Sequence, residues 1–100
     1  MVVVGFATIA ETPRDDVIPA IRAFLPPEVR IVERGNLDGL TREEIATLAP
    51  EPGEVGIVAR LRNGGETLLS HRKILPRMQR LVAELAHDDQ AELVVILCGA

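Results

Sequence analysis

The 100 residues hold a single thiol, Cys98, which closes the most apolar run of the chain, Leu93-Val94-Val95-Ile96-Leu97-Cys98. A cysteine becomes a nucleophile or a general base where its thiolate is favoured, as beside positive charge or the amides of a helix N-terminus. Such amides are expected after Thr12, because Thr12-Pro13-Arg14-Asp15 has the pattern of a helix start. Threonine is a good cap, proline suits the first helical position and acids in the first turn favour the dipole. The same amides suit a carboxylate or phosphate, and Arg14 adds a charge. A plainer reading stands beside each of these residues. A free cysteine is among the most buried residue types and packs as a small hydrophobe. Capping alone accounts for Thr12, and solvation alone for Arg14.

Other chemistries lack their residues. The chain has no glycine-rich P-loop, no GxGxxG and no serine elbow. His71 has no second histidine, cysteine or acid at metal-ligand spacing, and His87 lies apart from it beside Asp88 and Asp89, so neither a metal nor another cofactor is expected. The basic run His71-Arg72-Lys73, continued by Arg77 and Arg80, reads as a solvent face. Acidic residues outnumber basic ones fifteen to eleven, for a net charge of −4, and there are two Phe with no Tyr or Trp. That balance excludes phosphate neutralisation and base stacking, so nucleic acid is not an expected partner. The longest apolar runs are far shorter than the roughly 20 residues of a membrane span. No basic segment precedes Val2-Val3-Val4 as a signal peptide requires. A lone cysteine rules out an internal disulfide, and a reducing cytoplasm is the expected compartment.

The elements that must position these residues follow from pattern. A content of 47% hydrophobic and 26% charged residues over this length indicates one folded domain, residues 1–100. Val2 to Thr8 is almost continuously apolar, as in a parallel strand covered on both faces, and Gly5 within it marks a close approach of a helix or ligand. A helix from Thr12 carries Val17, Ile18, Ile21, Phe24 and Leu25 on one stripe, with Pro19 forcing a kink or restart and Pro26-Pro27 ending it. Val29 to Arg34 reads as a second strand. Thr41-Arg42-Glu43-Glu44 is a capping box that opens a short helix. Asn63-Gly64 joins Gly56 to Arg62 and Glu66 to Ser70 in an antiparallel hairpin. Ser70 caps a longer helix, with Pro76 near its start, that turns Ile74, Met78, Leu81, Val82 and Leu85 inward. Glu92 to Cys98 is expected to be the central strand, next to the first.

This order describes an α/β fold: a mostly parallel four- to five-stranded sheet with helices on both faces and one β-hairpin. Ligands of such sheets bind beyond the carboxyl ends of the strands, where strand order reverses. If the first and last strands are neighbours, Thr8 to Thr12 and Cys98-Gly99-Ala100 emerge side by side at that edge.

Several segments in order resemble the AroM family: Thr8 to Val17, Leu40 to Ile45, Ala49 to Glu54, Ser70 to Lys73 and Leu93 to Cys98, with Pro19 and Pro76 in place. AroM-like proteins look like members of the aspartate/glutamate racemase superfamily, in which two flavodoxin-like lobes enclose a cleft. There each lobe offers a strand-end cysteine, and the two thiols exchange a proton at the carbon next to a carboxylate. The resemblance implies that Cys98 is one such catalytic thiol. It makes Thr8, Thr12, Arg14 and Gly99 candidate contacts of a substrate carboxylate. It also implies that the chain corresponds to the N-terminal lobe of a longer, two-lobe protein, since the partner cysteine is absent. The alternatives are a non-catalytic module that binds a small anionic metabolite and a lobe that associates with itself.

Overall fold

In the computed structural model, which describes residues 2–97, the apolar run Val3–Thr8 forms strand β1. It is followed by α1 (Ile18–Arg22), β2 (Arg30–Gly35), α2 (Arg42–Ala46), β3 (Gly56–Arg60), β4 (Glu66–Ser70), α3 (His71–His87) and β5 (Leu93–Leu97). The sheet order is β2-β1-β5, all parallel, while β3 and β4 pair only with each other. The class is α/β, but among the described residues the parallel sheet has three strands, where a mostly parallel sheet of four to five was expected. The hairpin forms a separate antiparallel sheet because a tight turn can only join antiparallel strands.

The expected adjacency of the first and last strands is present, with registers from Val4↔Leu93 to Thr8↔Leu97. The expectation that the last strand is central is not met. Among the described residues β1 is central and β5 lies at the edge, where Leu93 and Ile96 are 58% and 55% exposed. A run of apolar residues signals a parallel strand but not its place in the order. Both faces of β1 are covered, since Val4 and Phe6 are as buried as Ala7 on the alternate face.

Helix α3 supplies the cover on one face. Ser70 accepts a hydrogen bond from the Lys73 amide at 3.2 Å, and Ile74, Met78 and Leu85 are buried, with Leu81 and Val82 packed against them. Gly5 is where the helix comes closest: a Cβ there would lie 3.0 Å from Leu85 Cδ2 and 3.1 Å from Ala91 Cβ. The basic side of α3 is less a solvent face than expected. Lys73 Nζ donates to the carbonyl of Ala49 at 2.9 Å and to Glu51 at 2.8 Å. Arg77 Nε donates to the Asn36 carbonyl at 3.0 Å and to Asn36 Oδ1 at 2.8 Å. Buried Asn36 in turn donates to the Ile74 carbonyl at 3.1 Å, tying the end of β2 to α3.

Two local readings change. The helix predicted from Thr12 starts instead at Ile18 with Pro19 in its first turn, lasts five residues and buries none of them. Its capping position is Val17, with no side-chain bond. The intended stripe therefore does not form a core face, and Phe24 is 89% exposed. The peptide before Pro13 is cis, and proline at position 19 fits only the opening of a helix. In the hairpin, β3 ends at Arg60 and the turn holds three residues, Arg62-Asn63-Gly64. The Leu61 amide donates to the Gly65 carbonyl at 2.8 Å and the Gly64 amide to the Leu61 carbonyl at 2.9 Å. Gly64 takes φ +89°, the left-handed conformation a type I turn with a bulge requires. The capping box is present as expected: Thr41 Oγ1 accepts from the Glu44 amide at 3.1 Å and Glu44 from the Thr41 amide at 2.9 Å.

A candidate carboxylate corner beyond the central strand

In a β2-β1-β5 sheet the chain leaves β1 for one neighbour and later returns to the other, so the order reverses at the carboxyl end of β1. Thr8 ends that strand, opposite Gly35 of β2 and Leu97 of β5. The Ile9 amide donates to the Leu97 carbonyl at 3.3 Å, which extends the contact with β5 past the last paired residues. Cys98 follows Leu97 in sequence; both Cys98 and Gly99 lie outside the described residues.

Of the other three candidate residues, two come together. Arg14 folds back onto the strand end, 6% exposed, and its Nη1 donates to Thr8 Oγ1 at 2.9 Å. Thr8 is itself buried. The remaining side of the guanidinium is a fork closed on Asp16: Nε donates to Oδ1 at 2.9 Å and Nη2 to Oδ2 at 3.0 Å. Such a bidentate pair is the geometry by which arginine recognises any carboxylate. The hydrogen bond from Arg14 holds the Asp16 carboxyl below the usual carboxylate range, with the charges of Arg14 and Arg60 acting in the same direction. The Arg14 amide donates to Glu33 Oε1 of β2 at 2.9 Å, so backbone and side chain are both fixed.

Thr12 is placed elsewhere. It caps no helix; its amide donates to Asp38 Oδ1 at 2.9 Å and its hydroxyl to Asp38 Oδ2. The expected cluster of helix amides is absent too. The amides of Val17 and Ile18 both donate to the Arg14 carbonyl, at 3.1 and 2.9 Å, and so are not presented to a ligand. Positive charge at this corner comes from side chains instead.

Asp38 is the residue that pattern reading passed over. Besides Thr12 it accepts from the Gly35 amide at 3.0 Å and from Arg62 Nη2 at 3.3 Å, joining the loops after β1 and β2 to the hairpin turn. Arg62 also donates to the Thr12 carbonyl, and its amide donates to Glu11 Oε1 at 2.9 Å. The strand-end rule that selected Thr8 applies equally to the loop after β2, Asn36-Leu37-Asp38-Gly39, and so held a signal for Asp38. Arg62 carried no such signal, because it arrives from the separate hairpin. Between the β1 loop and the hairpin turn lies a cavity of about 220 Å³ lined by Arg14, Asp15, Asp16, Arg60 and Arg62 among others.

Among the described residues no helix is long and apolar enough to cross a membrane, and no group of three His, Cys, Asp or Glu could hold a metal ion. The family described as AroM protein matches residues 4–100. No curated protein and no solved structure matches the chain.

Proposed function

The chain belongs to the AroM family, and from that premise we propose that it forms one side of a racemase- or isomerase-type site in which the Cys98 thiol moves a proton next to a carboxylate. The observation that carries the reading is the parallel register Thr8↔Leu97, which brings the strand preceding Cys98 against the strand whose end holds Arg14. In this reaction the thiolate takes the proton from the carbon bearing the carboxylate. The C–H pair moves into the carboxylate as S–H forms, and a second acid returns a proton from the opposite face. Positive charge near the carboxylate stabilises the electron-rich intermediate. Arg14 supplies that charge and Thr8 fixes its place; Thr12 acts through Asp38, holding the loop, and Gly99 is the remaining candidate contact of the carboxylate.

The 100 residues contain one cysteine, so a second thiol must come from another lobe or another copy of the chain. A working thiolate has to stay reduced, and a reducing cytoplasm is the compartment that fits this reading. The competing reading is a binding module for a small anionic metabolite. It is favoured by the Arg14 fork, whose carboxylate geometry needs no thiol. One experiment separates them: the alkylation rate of Cys98 as a function of pH, alongside ligand binding by Cys98→Ser. A midpoint well below about 8.5, the ordinary thiol value, is expected for an acid/base cysteine. A midpoint at or above it, with ligand binding retained by Cys98→Ser, gives the site to the binding module.

A further inference from the structure

We propose that Asp16 is a built-in occupant of the corner's carboxylate site, and that a small carboxylate ligand binds by displacing it from the Arg14 fork. The proposal rests on the reading of the corner as a carboxylate site and adds how it opens and what else lines it.

Four observations converge. Arg14 is buried and is anchored by Thr8 at its side chain and by Glu33 at its amide, contacts that do not involve Asp16. The partner is unequal to it: the side chain of Asp16 is 33% exposed against 7% for Arg14, so the acid lies over the base as a cover. A second cation faces the same carboxylate, with Arg60 Nε 4.0 Å from Asp16 Oδ2 and no nearer acid bonded to it among the described residues. Finally, the space beside the pair is already open, about 220 Å³. That is smaller than the roughly 300 Å³ at which ordinary ligand pockets begin. It suits an acid of a few carbons, and Arg14, Arg60 and Arg62 on the lining favour an anion.

The exchange is electrostatically conservative. Stripping Asp16 away alone would leave a buried guanidinium uncompensated, a costly state, whereas one carboxylate replacing another keeps the pair intact. Only the chain around Asp16 must move, and that chain is weakly held. It leads into α1, which buries no side chain. Segments with few buried apolar contacts open at low free energy. The same feature accounts for a helix that contributes nothing to the core.

The test is a titration of the wild-type chain with succinate, followed by amide NMR shifts and by the titration of the Asp16 carboxyl. Saturable shifts are expected at residues 14–18 and around Arg60. The Asp16 carboxyl, held low by Arg14 in the free protein, is expected to return toward its ordinary range in the saturated one. Asp16→Ala should bind succinate at least tenfold more tightly than wild type, and adding Arg60→Met should reverse several-fold of that gain. Should Asp16→Ala fail to fold, Asp16→Asn keeps the volume while removing the competing charge, and a threefold tightening is expected. An Asp16 carboxyl that stays low at saturation, variants no tighter than wild type, or shifts reproduced by chloride at equal ionic strength would each overturn the proposal. Cys98 takes no part in this readout, so an inert thiol defeats the catalytic reading and leaves the displacement intact.

Discussion

The corner beyond β1 and the contact of α3 with the sheet hold the same central strand by opposite means. Under α3 the strand offers Gly5 and Ala7, and the helix meets it with the apolar side chains of Leu85 and Ile74; the charged contacts of α3 lie off β1, from Glu84 to Arg34 of β2 at 3.5 Å and from Arg77 to Asn36. At the carboxyl end of β1 the same strand offers Thr8, and the loop is held by Arg14, Asp16, Asp38 and Arg62. Apolar burial is non-directional and scales with area, so the α3 contact sets how stable the fold is. Charge-assisted hydrogen bonds contribute less net free energy but demand geometry, so the corner sets where groups point. A domain that puts its binding chemistry on the second kind of contact can reshape the corner without endangering the first.

The largest expected effect therefore lies under α3. Leu85 is fully buried and touches the site of Gly5. Leu85→Ala should lower the unfolding free energy by about 2–5 kcal/mol, measured by urea denaturation. The loop amides at Thr12 and Gly35 should keep their native chemical shifts in the folded fraction. A loss below about 1 kcal/mol would mean that the helix–sheet contact is not the principal source of stability, and the division drawn above would fail.

Asp38 sharpens the comparison from the other side. Replacing it by Asn keeps the shape but removes the charge and one of the two oxygens shared among Thr12, Gly35 and Arg62. Because the carboxylate is partly solvent-exposed, the stability loss should be only about 1 kcal/mol. Hydrogen exchange at the Thr12 and Gly35 amides should nevertheless speed up by about an order of magnitude. The pattern to look for is thus a small global change with a large local one, the reverse of Leu85→Ala. Equal protection in variant and wild type would show that backbone pairing alone positions the loop.

The contrast also explains what could be read from the residues. Elements held by apolar periodicity or by local capping were legible: β1, the Thr41 capping box, the inward face of α3 and the hairpin all follow from side-chain type at short range. Gly5 as a close approach was legible for the same reason. The start of α1 was not. Thr12-Pro13-Arg14-Asp15 satisfies every local rule for a helix N-terminus, but Thr12 is claimed by Asp38 and Arg14 by Thr8 and Asp16. Long-range bonds of this kind leave no periodic trace. The strand order was half legible, since hydrophobicity identified β5 as a neighbour of β1 but could not say which of them is central among the described residues. Of the candidate residues, Thr8 and Arg14 do meet, and the strand-end rule reached the loop that holds Asp38, whereas Asp16 and Arg60 were hidden because each matters only through its partner.

The smallest predicted effect concerns a polar clasp outside the corner, which asks whether charge positions rather than stabilises elsewhere in the molecule. Glu54 precedes β3 and accepts from the Glu51 amide at 2.8 Å, from the Ser70 hydroxyl at 3.1 Å and from Arg72. These bonds, the backbone one first, lower its pKa from 4.5 to about 2. The unfolded chain thus binds a proton at this carboxyl near pH 4.5 while the folded chain still refuses it, so protonation favours unfolding. The contribution of Glu54 is complete above pH 4.5 and is lost as the pH falls toward about 2. The stability difference between wild type and Glu54→Gln should accordingly be constant from neutral pH to about 5 and shrink below it. Its amplitude should be less than that of Asp38→Asn, since salt bridges at the surface are screened. A difference that stays level through the acid range would mean that Glu54 holds its partners no better charged than neutral, and that the reliance on charge for placement is particular to the corner beyond β1.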